Sequence, residues 1–385
     1  MGITREIPGG GAMTQAPDRR SLMMTFIDEA GWSGAELRSL AGDASPRRYV
    51  RLVRGAHTAM LMDQPRGAEM PACPPGASQS DRRKLGYNAM ARLAGPDCRP
   101  FAALSHFLRG QGLSAPDTIA HDYANGFLLI EDLGDGRFAD LISSGQNERP
   151  LYETAIDVLA GLHSVRAPEV LPVPGGGDVS LLPYDTLAME TEVHLLTEWF
   201  YPAATGRTLA NDALLAFSDA WRSALGQLKI SDPVVVLRDF HAENLMWLEN
   251  RAGASRAGLL DFQDALAGSP AYDLISLTED ARRDVSAELG DAMTRRYVEH
   301  RRSLSSQFDE EAFRFAAALL ATQRNTKIVG IFARLWKRDG KPRYTQFLPR
   351  MWGYLERDLS HPALGDLKGW FDKYIQREYR GTLGN

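Results

Sequence analysis

Cysteine is scarce in this 385-residue chain, which has only Cys73 and Cys98. Two thiols without a paired C-x-x-C spacing support neither a disulfide framework nor a zinc site, so the sequence reads as belonging to a reducing compartment. Long apolar runs are also missing. The densest, residues 127–130 and 316–321, fall well short of the roughly 18 residues of a membrane span. Residues 1–20 are rich in Gly and Pro and lack the run of about 7 to 15 apolar residues of a secretory leader. They are expected to be a flexible extension. There is no excess of positive charge, since 44 Lys and Arg face 49 Asp and Glu for a net charge of -5. A general nucleic-acid or anionic-membrane binder leans the other way. The motifs G-x-x-x-x-G-K-[ST], H-E-x-x-H and G-x-S-x-G do not occur. What is present, 44% apolar residues, suits a soluble, cytoplasmic protein, expected to be a monomer, with one large core or two modest ones.

Helical spacing begins near Ser21, read as an N-cap, and stops at Gly31. An alternating, β-rich run follows the turn residues 42–46 and pairs with HTAMLMD across Gly55. Residues 65–80 hold four prolines and no periodicity and read as a loop, followed by a helix over about 100–111. The next strands, 117–123 and 126–132, meet at Asn125-Gly126, a strong hairpin signal. After Gly134-Asp135-Gly136 the chain turns helical, interrupted by β character only at 234–261. This describes an α+β, two-lobed protein with a small β-rich N-lobe over 21–133, a larger helical C-lobe over 134–385 and a cleft at the hinge.

The interruption carries the chemistry. Residues 245–248 and 257–260 flank a polar turn centred near 252 and 253, which predicts an antiparallel hairpin with Leu245 opposite Leu260 and Asn244 opposite Asp261. Opposed residues lie about 5 Å apart. An amide oxygen and a carboxylate at that spacing suit a Mg²⁺ ion that takes the rest of its shell from water and phosphates. Asp239, at the mouth of the same loop, is placed to accept the proton of an attacking hydroxyl.

LRDFHAEN resembles the catalytic loop of the protein-kinase-like superfamily, and LLDFQDALAGSPAYDLISL the metal-binding segment of its aminoglycoside-phosphotransferase branch. Together with GDASPRRYVRL, AMLMDQP, GFLLIEDLGD and QRNTKIVGIFARLWKRDGKPRY, these segments resemble the N-acetylmuramate/N-acetylglucosamine anomeric kinases of cell-wall recycling, over about residues 22–360. The resemblance implies an ATP- and Mg²⁺-dependent enzyme with Asp239 as base and Asn244 and Asp261 as metal ligands. It also implies a phosphate-binding turn ending at Ser45 and a hinge at Glu131 to Leu133 that meets adenine. His241, inside the loop, is a candidate either to touch the acceptor or to support the loop, and Asp264 either to orient the sugar or the metal shell or to cap the following turn. One departure matters. Met62 stands where such kinases carry the β3 lysine that holds the phosphates, which leaves Arg47, Arg48 and Arg51 as candidates for that charge.

Residues 321–350 carry eight cations against the single acid Asp339. At about 100° per residue Arg324, Lys327, Arg334 and Arg338 share one stripe beside the apolar Ile328, Phe332 and Leu335. The expectation is a helix that packs with one face and presents cations to the cleft, suited to an anionic amino sugar and hostile to a polycation. A solvated face paired with acidic neighbours is the bland alternative. Two other functions stay open, a phosphotransferase for antibiotics or other small metabolites on the same fold, and a nucleotide-binding pseudokinase. Nucleic acid and membranes are not expected partners.

Overall fold

The computed structural model describes residues 18–40, 47–67, 69–381 and 383. Helix α1 (Arg19–Glu29) starts earlier than its sequence suggests. Its cap is Asp18, whose carboxylate accepts the Ser21 N–H at 2.8 Å, so Ser21 sits inside the first turn. Strands β1 (Glu36–Ser39), β2 (Arg48–Arg54), β3 (His57–Asp63), β4 (Thr118–Asp122) and β5 (Phe127–Glu131) form one antiparallel sheet in the order β1-β2-β3-β5-β4. Strand β1 is exposed throughout and gives no apolar alternation, which hides it in the sequence. Strand β5 lies between two partners and is buried on both faces, which explains its unbroken FLLI. Leu52, Ala59, Leu61, Phe127 and Leu129 pack under α1, while Met62, Leu128 and Ile130 face the opposite way into the main core.

Between β3 and β4 the predicted loop gives way to α2 (Gln79–Leu85) and α3 (Tyr87–Ala91), too short for a periodic signal, and then to α4 (Arg99–Gly110). Beyond the hinge come α5 (Phe138–Ser143), α6 (Glu148–Leu162), the hairpin β6 (Val170–Pro172) and β7 (Asp178–Ser180), and α7 (Thr186–Leu195). Helix α7 runs through a π turn into α8 (Tyr201–Thr205), and α9 (Asn211–Gly226) follows. Strands β8 (Val234–Val236) and β11 (Leu266–Gly268) pair, and so do β9 (Leu245–Trp247) and β10 (Ala257–Leu259). The remainder is α10 (Ala271–Thr278), α11 (Ala287–Leu304), α12 (Glu310–Lys337), α13 (Leu348–Asp358) and α14 (Gly365–Tyr374).

Helix α12 does not lie with one side in solvent. It crosses the middle of the lobe between α7, α10 and α13, and Leu319 to Thr326 are buried without a break. A Cβ at Gly330 would stand 2.3 Å from the backbone carbon of Leu195, so only glycine allows this approach of α7. Among the described residues no helix is long and apolar enough to cross a membrane.

Candidate active site

Asp239 is placed by a loop anchored at several points. The apolar β8 is followed by Leu237 and Arg238, whose backbone N–H groups donate to the carboxylate of the fully buried Asp273 at 2.7 and 2.9 Å. His163 supports this carboxylate from behind, 3.6 Å away, and meets the Tyr297 hydroxyl at 2.8 Å. Burial lowers the His163 pKa below its ordinary value despite Asp273. Arg238 adopts a left-handed φ of 70°, a strain of about 1–3 kcal/mol that persists only where surroundings impose it. Here they do, since its guanidinium pairs with buried Glu192 and its carbonyl accepts from Ser276 Oγ at 3.0 Å. Asn244 closes the loop with its Nδ2 donating to the Asp239 carbonyl at 3.0 Å.

Glu192 also takes Lys327 Nζ at 3.1 Å and Gln323 Nε2 at 2.9 Å. Burial works to raise its pKa, but Lys327 and Arg238 outweigh that and hold it below the ordinary carboxylate value. The same cations act on Asp239. Burial raises its pKa, while Lys327, His241, Arg238 and Arg324 bring it below the ordinary value, so Asp239 is ionised at neutral pH. No motif singles out Glu192. Its signal is an acid on an otherwise apolar stripe with Ala188, Met189, Val193 and Leu196, which requires a buried partner that the sequence does not name.

The hairpin register differs from the predicted one by a residue. Leu245 faces Leu259, and Leu260 N–H donates to the Asn244 carbonyl at 3.0 Å. The reason is the turn, which includes a 3₁₀ segment at Gly253–Arg256 and centres on residue 252. Asp261 therefore stands one position beyond Asn244, and a left-handed φ of 57° turns the chain there. Its carboxylate meets Arg47 Nη2 at 2.9 Å and Gln263 Nε2 at 3.0 Å. The Asn244 Nδ2 is committed to the Asp239 carbonyl, and Oδ1 is the acceptor atom of that amide. No group of three metal-ligating His, Cys, Asp or Glu occurs among the described residues, so a Mg²⁺ ion held by these two hard oxygen donors would depend on water and phosphates for the rest of its shell.

Ser45 lies outside the described residues. Arg48 is exposed. Arg51 is held at the hinge, at 2.8 Å from both Asp132 and Asp135. Glu131 ends β5 with its carboxylate bound by Arg109 and Arg251. Leu133 packs on the β9–β10 hairpin, where a Cβ at Gly258 would stand 2.8 Å from Leu133 Cδ1. The hinge residues 131–136 and residues 247–251 line a cleft of about 470 Å³.

Of the residues expected at the acceptor, Arg324 and Lys327 are brought near Asp239 but are not a solvated stripe. Arg324 is buried and donates to the Glu279 carbonyl at 3.1 Å, and Lys327 also reaches the Tyr272 hydroxyl at 3.3 Å. Arg334 lies over the ring of Tyr87, 4.9 Å from its centroid, with a buried Nε that has no hydrogen-bond partner. Arg338 is exposed and pairs with Asp339. His241 is buried, its Nδ1 without a partner, and burial lowers its pKa despite Asp280 and Asp239. Asp264 accepts the Ala94 N–H at 2.6 Å, joining the segment after β10 to the α3–α4 connection.

An antiparallel sheet, a hinge, and a buried-strand loop that brings Asp239 and Asn244 to the edge of a helical lobe define a phosphotransferase on the two-lobed protein-kinase-like fold. The chain belongs to the phosphotransferase enzyme family, whose model matches residues 36–315. It is 43% identical to the N-acetylmuramate/N-acetylglucosamine kinase of Caulobacter vibrioides, over 96% of this chain and 100% of that protein. Identity to the N-acetylmuramate/N-acetylglucosamine kinase of Pseudomonas aeruginosa is 33%, over 89% of this chain and 90% of the other. A solved structure of the aminoglycoside phosphotransferase APH(2'')-Ib with ADP superposes with a TM-score of 0.50 at 16% identity, covering 87% of this chain and 96% of that one. That likeness concerns the fold.

Proposed function

We propose that the protein transfers the γ-phosphoryl group of ATP to the anomeric hydroxyl of N-acetylmuramate or N-acetylglucosamine, giving the α-1-phosphate, in the cytoplasmic recycling of cell-wall sugars. The observation that carries the reading is the placement of an ionised Asp239 among Lys327, Arg238 and Arg324, in a chain aligned end to end with a kinase named for these two sugars. Asp239 accepts a hydrogen bond from the sugar hydroxyl and aims its oxygen. As the new O–P bond forms and the β–γ bridging bond breaks, the hydroxyl proton passes to Asp239. Asn244 Oδ1 and the Asp261 carboxylate would hold Mg²⁺, which when bound neutralises charge on the transferring phosphoryl group. Lys327 and Glu192 keep the loop under Asp239 in register.

Arg334, beside Tyr87 and with an unused Nε, suits the lactyl carboxylate of N-acetylmuramate. ADP release measured side by side with N-acetylmuramate, N-acetylglucosamine, kanamycin and choline tests the proposal. Turnover on the two amino sugars is expected, and a preference for kanamycin or choline would reject it. The buried, uncharged Met62 favours a second reading, a nucleotide binder without turnover, which the same panel separates.

A further inference from the structure

We infer that Arg47 takes over the work of the missing β3 lysine, exchanging its contact with Asp261 for the β- and γ-phosphates when a nucleoside triphosphate binds. This rests on the ATP reading above. Met62 cannot serve, because it is uncharged and has no exposed surface, and the Tyr49 hydroxyl covers its sulfur at 3.5 Å.

The pleat of β2 sorts the three arginine candidates. Val50 and Leu52 pack against the cluster under α1, so the face that Arg48 shares with them points away from the cleft. Tyr49 packs on the main core from the opposite face, and Arg47 and Arg51 share that face by alternation. Arg51 is committed to the hinge, bound to Asp132, Asp135 and the Gly134 carbonyl. Arg47 lies four residues back along the chain, about 13 Å at strand spacing, and only 10% of its side chain is exposed. Its guanidinium bonds Asp261 at 2.9 Å, and Asp264, Glu69 and Tyr49 are ionisable groups that also act on it among the described residues.

A nucleotide whose base meets the hinge beside Arg51 and whose phosphates reach toward Asp261 therefore ends under Arg47. Its planar fork matches two phosphate oxygens as readily as it now matches a carboxylate. The contact with Asp261 keeps the cation at the phosphate end of the cleft when no nucleotide is bound.

Calorimetric titration with a non-hydrolysable ATP analogue and with adenosine, both in Mg²⁺, tests this on the parent, Arg47→Ala, Arg47→Lys and Arg48→Ala. Loss of charge-assisted bonds to phosphate predicts that Arg47→Ala binds the analogue about 10- to 100-fold more weakly. Adenosine affinity is expected to stay within about twofold, which also shows that the variant is folded. Arg47→Lys should recover part of the loss and Arg48→Ala should match the parent. Unchanged analogue affinity in Arg47→Ala, with a parent that binds, would overturn the role of Arg47 and leave the ATP reading standing. A parent that binds no nucleotide would overturn both.

Discussion

The guanidinium of Arg238 meets the carboxylate of Glu192 in a pair with 2% and 1% of the side chains exposed. Lys327 places a second cation on the same carboxylate. Removing one partner of such a pair costs about 3–5 kcal/mol, because it strands buried charge. Glu192→Ala is expected to lose that much stability in urea denaturation, and a loss below about 1 kcal/mol would show that water reaches the two cations.

Asp239→Asn keeps the shape of the side chain and removes its charge. Turnover should fall by about 10²- to 10⁴-fold, with nucleotide affinity nearly unchanged. A turnover number within a few-fold of the parent would remove Asp239 from the reaction.

Arg334→Gln separates the two sugars. Only N-acetylmuramate offers a carboxylate, so its KM should rise about tenfold or more while that of N-acetylglucosamine stays within about twofold. An equal change for both would mean that Arg334 acts only by holding Tyr87.

Asp358 and Glu279 are buried side by side, bridged by Asn325 Nδ2 at 2.8 and 2.6 Å. Burial, and then the neighbouring Glu279, push the Asp358 pKa well above its ordinary value of 3.8. A carboxyl group with a raised folded pKa stabilises the fold fully below its unfolded pKa, and that contribution is lost as pH rises through the folded value. Asp358→Asn mimics the protonated form. Its melting temperature should match the parent at about pH 4 and exceed it at about pH 8, and equal melting temperatures at both would refute a raised Asp358 pKa.

Much of the fold is legible in local pattern. The β-rich runs on either side of Gly55, the Asn125-Gly126 turn and the unbroken apolar β5 each state a strand or its end through composition and turn chemistry. Strand β1 is not legible because no face of it is buried, nor are α2 and α3, which complete too few turns to show a period.

By itself the sequence determined the site's residue types and their order: a loop from Asp239 to Asn244, a later Asp261, and a β3 strand without lysine. Local periodicity records which face of an element is apolar, and short motifs record which polar groups are available. Tertiary structure alone decided that Glu192 lies under Arg238, that α12 is enclosed by helices on several sides, and that Arg47 is the cation at Asp261. Those are pairings between elements far apart in the chain. They are set by the electrostatic requirement that a buried charge find its partner, which no local pattern encodes.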